Sequence, residues 1–141
     1  MENNQEIIRL ENLSKTFELR YHKTLRAVDA ASLSLHKGVC TAVVGESGCG
    51  KSTLARMAVL LEPVTEGAIY YKGQQIGGIK EGHPMSIRGE ALRAYRRHVQ
   101  MIFQDPVNVF SPRMKIGTFL MEPWIHFEKK TKKEARALAL Y

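Results

Sequence analysis

The sequence has only two cysteines in 141 residues, Cys40 and Cys49, and they form neither a Cys-x-x-Cys pair nor a metal-ligand spacing. A disulfide framework and a structural zinc site are therefore not expected. The five histidines, His22, His36, His83, His98 and His126, are scattered and add no ligand set. Long apolar runs are missing as well. No uncharged apolar stretch is longer than that of residues 57–61, far short of the ~18 residues that a membrane-spanning helix needs. The opening Met1-Glu2-Asn3-Asn4-Gln5 lacks the cationic start and apolar centre of a secretory signal, so export is not expected.

What is present describes one soluble globular unit. Apolar residues make up 44% and charged residues 25%, a balance outside the disordered and fibrous classes. A chain of this length buries roughly two-thirds of the surface its unfolded form exposes, enough for a core without disulfide or metal. The net charge is +7 and unevenly placed: residues 1–87 carry 10 basic and 9 acidic groups, residues 88–141 carry 11 and 5. The positive excess lies in the second half.

Periodicity divides the chain into elements. Residues 6–10, 16–21 and 31–35 read as strands, the last alternating apolar with polar as a half-buried strand does. Residues 39–44, Val-Cys-Thr-Ala-Val-Val, carry almost no polar group, the pattern of a strand covered on both faces in a parallel sheet. A helix is expected over 51–61, stopping before Pro63. A short strand follows at 68–71, and then an irregular loop marked by Gly77-Gly78 and Gly82-His83-Pro84. Residues 86–98 read as a helix with a basic face and 99–103 as another strand. Residues 105–112 read as a loop between two prolines. Residues 117–127 and 131–141 read as helices, the second without a stop signal, as though the chain ends inside an element.

Between the buried strand and the helix stands Gly45-Glu46-Ser47-Gly48-Cys49-Gly50-Lys51-Ser52, which satisfies G-x-x-x-x-G-K-[ST] in the context that marks a phosphate-binding P-loop. Glycine lets the backbone curl so that successive N–H groups converge on phosphate, and the helix N-terminus adds partial positive charge. Lys51 supplies the cation for phosphate oxygens and Ser52 a hydroxyl for magnesium. Two other motifs are excluded. A dinucleotide fingerprint from Gly48 would need glycine where Thr53 stands, and a G-x-S-x-G nucleophile elbow from Gly45 would need glycine where Cys49 stands.

Nucleotide binding alone does not select among kinases, GTPases, helicases and transport ATPases; the neighbouring residues do. The P-loop through Thr53, with Phe103-Gln104-Asp105-Pro106 about fifty residues later, resembles the ATP-binding subunit of ATP-binding cassette (ABC) transporters. Residues 101–106, Ser111-Pro112-Arg113-Met114 and Glu122-Pro123 are similar to the oligopeptide and dipeptide importer branch. The resemblance starts at Leu13-Ser14-Lys15-Thr16-Phe17, continues through Ala27-Val28-Asp29 and covers essentially the whole chain.

The resemblance implies roles. Phe17 takes the place of the aromatic that stacks on adenine, for which a flat ring suits a flat base, although a strand phenylalanine is also an ordinary core residue. Residues 45–53 would bind the nucleotide. Gln104 takes the place of the Q-loop glutamine, a catalytic residue that touches magnesium and the attacking water and leads to the surface meeting the membrane subunit. Asp105 is not read as the magnesium carboxylate of a Walker B strand. Gln104 separates it from the apolar run and no glutamate follows.

A Leu-Ser-Gly-Gly-Gln signature, an apolar run ending in Asp-Glu and a later switch histidine are all absent from the sequence; His126 comes in the wrong order. The expected fold class is therefore α/β: a P-loop NTPase core of parallel sheet with flanking helices plus an N-terminal antiparallel β part, with the C-terminal half of the domain missing. Residues 1–141 would form an incomplete ATP-binding domain, with its helical subdomain beginning at 117–141. The expected cofactors are ATP and Mg2+. Expected partners are membrane-spanning permease subunits, a second ATP-binding subunit and a separate solute-binding protein, at the cytoplasmic face of the membrane. A catalytically inactive nucleotide-binding fragment, or a soluble DNA-associated cassette ATPase, are the alternatives. The basic run at 128–136, with Arg88, Arg93, Arg96 and Arg97, mixes lysine with acid at helical spacing and lacks base-stacking aromatics. It reads as a solvated face, not a nucleic-acid site.

Overall fold

The structure, a computed structural model, describes residues 5–104 and 113–139, so the expected loop at 105–112 lies outside the described residues. The chain divides into two compact units, Met1–Leu92 and Arg93–Tyr141. In the first unit, β1 (Glu6–Glu18), β2 (Thr24–His36), β3 (Glu66–Tyr71), β4 (Gln74–Lys80) and β5 (His83–Ser86) form one sheet in the order β2-β1-β3-β4-β5. Every pairing in it is antiparallel.

The two strands expected at 6–10 and 16–21 are one. Between them Asn12 takes a left-handed backbone (φ 48°), and the register passes from Leu10↔Leu33 to Leu13↔Ala31, so β1 holds one residue more than β2 there. Such a bulge shifts side-chain parity without ending the strand. It lets Leu10 and Leu13 both be buried, at 2% and 0% exposure. Ser32 Oγ fills the local gap, accepting the Asn12 N–H at 2.9 Å and donating to Asn12 Oδ1 at 3.3 Å. β1 then ends at Glu18, before the turn Arg20–His22.

β4 and β5 occupy the stretch expected to be an irregular loop. Gly77 and Gly78 are paired residues of β4, opposite Ile69 and Ala68. Glycine is required at 78, where φ is +107° and a Cβ would run into the main chain of Gly67 and Ala68; at 77 a Cβ would meet only the end of the Leu60 side chain, 2.7 Å from Cδ2. Leu60 stands just past the end of α1 (Lys51–Ala58), which is shorter than expected. Leu60 N–H donates to Met57 O and Leu61 N–H to Arg56 O, both at 2.9 Å, and Leu60 has φ 57°. This is a Schellman stop with leucine in the position that usually holds glycine. The ~1–2 kcal/mol cost of the left-handed residue is offset by its side chain lying on the sheet at Gly77. Met57, 0% exposed, joins Ile8, Leu10, Leu13, Val28, Ile69 and Ile76 in the core of this unit.

Two expected strands do not form. Residues 39–44 have no regular structure, and Val39, Val43 and Val44 are 57%, 47% and 88% exposed. Residues 99–103 are likewise irregular, with Ile102 at 95%. A parallel strand exists only through hydrogen bonds to neighbours on its edges. Among the described residues every strand is taken up by the antiparallel sheet, so both apolar runs lack a ladder. α2 (Gly89–His98) starts three residues later than expected, because Ser86 closes β5.

In the second unit α3 (Ile116–His126) and α4 (Lys132–Leu138) follow, close to the expected helices. Thr131 and Glu134 build a capping box at the start of α4. Arg97 is bound to the carbonyl of Phe127 and to the Glu128 carboxylate, and the lysines of the basic run are exposed.

Candidate nucleotide site

The P-loop lies in the first unit, between residues 39–44 and α1. Glu46 to Cys49 make a turn in which Cys49 N–H donates to Glu46 O at 3.3 Å. Gly48 and Gly50 both have positive φ, +82° and +96°, a conformation that side chains strongly disfavour. Gly50 is the N-cap of α1 and provides no side-chain cap. The first amides of the helix therefore point into the loop with the helix's partial positive charge behind them. At Gly50 space is decisive too. A Cβ there would overlap the carbonyl oxygen of Ala27 and come within 3.3 Å of Val28 Cγ2, so the loop is docked backbone-to-backbone on β2.

Lys51 folds back across the loop. Its ammonium donates to Gly45 O at 2.8 Å and to Glu46 O at 2.6 Å, and lies 3.5 Å from Cys49 Sγ. A lysine has three donors, and two of them here fix the cation inside the turn. A Cβ at Gly45 would stand 2.8 Å from Cys49 Sγ, so a larger residue there would turn that side chain aside. Glu46, Ser47, Cys49 and Ser52 are exposed, and Thr53 is half-buried. The arrangement concentrates helix amides and one ammonium on a small concave backbone, which suits the multiple oxygens of a phosphate chain.

Phe17 is brought into the same region through the hairpin. It is half-buried on β1 opposite Leu25, while Val28, whose Cγ2 a side chain at Gly50 would meet, is paired with Lys15. Gln104, by contrast, is an exposed bend residue of the second unit, and its role rests on the resemblance alone. For magnesium, Ser52 offers a single exposed hydroxyl. Among the described residues no three acidic, histidine or cysteine side chains cluster. That donor set fits a magnesium ion that arrives with phosphate oxygens and waters as its other ligands, not a cage made by the protein.

One participant was not legible in the sequence. Lys15 is 8% exposed, paired with Glu62 Oε1 at 2.6 Å and donating to Pro63 O at 2.8 Å. The same ammonium lies 4.8 Å from the centroid of the Phe17 ring. The i, i+2 spacing on a strand places Lys15 and Phe17 on one face, but nothing in the sequence pairs residue 15 with residue 62.

Comparison with known proteins gives the family. Residues 28–140 match the ABC transporter domain. The chain belongs to the ABC transporter family. It is 37% identical over 139 residues to a probable peptide ABC transporter ATP-binding protein, y4tS, of Sinorhizobium fredii, covering 94% of this chain and 37% of that protein. It is 41% identical over 112 residues to the oligopeptide transport ATP-binding protein OppF of Escherichia coli, covering 79% of this chain and 31% of that one. The chain thus spans about a third of the length of these curated relatives. Among solved structures, a dimeric ATP-binding cassette, MJ0796, bound to ADP and phosphate superimposes with a TM-score of 0.71 at 22% identity, over 95% of this chain and 54% of that one. A nucleotide-free ABC transporter cassette gives 0.61 at 25% identity, over 94% and 46%. The fold is that of an ABC ATPase cassette, of which this chain carries the antiparallel sheet, the P-loop and helices. Among the described residues no helix is long and apolar enough to cross a membrane.

Proposed function

We propose that this chain forms the nucleotide-holding part of an ABC importer's ATP-binding subunit, binding ATP whose hydrolysis powers uptake of peptides or a similar small solute. The observation that carries the reading is the Lys51 ammonium drawn across the turn of Gly45 and Glu46 at the start of α1. In this reading the amides of residues 45–53 and Lys51 bind the β- and γ-phosphates. Ser52 ligates magnesium together with phosphate oxygens, and Phe17 stacks on the base. Gln104 contacts magnesium and the attacking water; an uncharged amide has one acceptor and two donors to exchange as the γ-phosphate leaves. The names of the peptide-transport relatives support peptides as the solute class. The partners are permease subunits, a second ATP-binding subunit and a solute-binding protein, at the cytoplasmic face of the membrane.

Lys51→Ala tests the reading. The triphosphate loses the only cation of the loop, and the one donor that Lys51 has left for it, a charge-assisted bond at ~1.5–3 kcal/mol, corresponds to a loss of about ten- to a hundredfold in affinity. Fluorescence titration with ATP measures it, and equal affinity in the variant contradicts the assignment.

A further inference from the structure

We infer that Lys15 is a positioning residue for base recognition: its buried ammonium holds the Phe17 ring and ties it to the end of α1 opposite the P-loop. The inference rests on the nucleotide reading above and adds to it a residue that touches neither phosphate nor base.

The geometry accounts for all three directions of the ammonium. One donor is spent on Glu62 Oε1 and one on Pro63 O, and the third side faces the Phe17 ring. A lysine this deeply covered is costly unless its charge is answered, and here a carboxylate, a carbonyl and a ring quadrupole answer it together. Glu62 and Pro63 directly follow the Schellman stop of α1, whose first residue is Lys51. Lys15 is also the β1 partner of Val28, which with Ala27 leaves no room for a side chain at Gly50. The ring and the phosphate loop are therefore held in register by two routes, one through β2 and one through Lys15 and α1.

The cation acts on the ring as well as on its position. An ammonium over one face draws π density toward itself, so a base stacked on the opposite face meets less π–π repulsion. Lys15 should thus matter for ligands with a base and be indifferent to a bare phosphate chain.

The experiment compares ATP, GTP and inorganic tripolyphosphate, each with magnesium, by titration calorimetry on the full chain and its variants. Lys15→Met is expected to weaken ATP and GTP about three- to ten-fold and leave tripolyphosphate unchanged, and Lys15→Arg, which keeps the cation, restores the nucleotides. In a Phe17→Ala background, Lys15→Met is expected to cost nothing further, because the ring through which it acts is gone. Should Lys15→Met not fold, Glu62→Gln, which only neutralises the anchor, must still weaken ATP relative to tripolyphosphate. Equal loss for tripolyphosphate and ATP, or additive losses in the double variant, overturns the inference while leaving the nucleotide site intact. Lys51→Ala separates the two failures: it must weaken all three ligands. A chain that binds none of them, or a Lys51→Ala variant that binds all of them normally, overturns the nucleotide reading and this inference with it.

Discussion

Replacing Gly50 with alanine puts a methyl group at the point where the P-loop meets β2. Two costs arise. The residue has φ +96°, and a left-handed conformation costs an L-residue ~1–2 kcal/mol. The new Cβ also overlaps the backbone oxygen of Ala27, inside the 3.0 Å that such atoms keep. The obstruction is main chain, so no rotamer relieves it and the start of α1 must move away from β2, an over-packing cost of ~1–3 kcal/mol. Together they amount to about 2–5 kcal/mol, a large share of the stability of a small unit. Gly48→Ala is the matched control: its φ is +82°, but nothing lies within 4 Å of its Cβ position, so only the conformational cost of ~1–2 kcal/mol applies. Urea unfolding of the two variants reads the difference. Amide exchange at Leu54, whose N–H donates to Gly50 O at 2.9 Å, reports whether the loss is local to α1. If the two variants unfold at the same midpoint with the same Leu54 protection, the docking of the loop on Ala27 is not what holds it.

How far the sequence announces this molecule depends on whether a feature is local. The P-loop motif is legible because it lies in eight consecutive residues, and Gly50 has the positive φ that glycine permits. The capping box of Thr131 and Glu134 is local in the same way. The bulge at Asn12 is less so: Glu11-Asn12 reads as a break in the apolar pattern, whereas pairing with β2 and β3 carries the strand across it. β4 was hidden because a Gly-Gly pair normally signals a loop, while here a Cβ at Gly78 would run into the main chain of Gly67 and Ala68 on the neighbouring strand. The ion pair of Lys15 with Glu62 joins residues 47 apart, and no periodicity encodes a contact of that kind. Residues 39–44 show the opposite failure, with a buried-strand composition and no neighbouring strand among the described residues to pair with.

Glu134 should titrate below the ordinary glutamate range. The Thr131 hydroxyl and then the Thr131 N–H donate to its carboxylate, with the Lys130 charge adding to the effect. A lowered folded-state pKa means that the cap's contribution is present above the ordinary value of 4.5 and is lost as pH falls through the folded value. Thr131→Ala should move the midpoint up toward the ordinary value and fray α4, which an NMR titration of the Glu134 carboxyl carbon follows; an unmoved midpoint refutes the box. The exposed valine run yields the sharper contrast. If residues 39–44 were the covered strand their composition suggests, Val44→Lys would bury an unpaired ammonium and cost several kcal/mol. With Val44 88% exposed, the substitution should change the stability of this chain by no more than about 0.5 kcal/mol. Met57→Ala, at a side chain 0% exposed, should cost ~2–5 kcal/mol. Chemical denaturation of both variants decides it, because a loss above about 2 kcal/mol in Val44→Lys would require something to cover that run, and the antiparallel sheet with α1 would then not be the whole of the core in this unit.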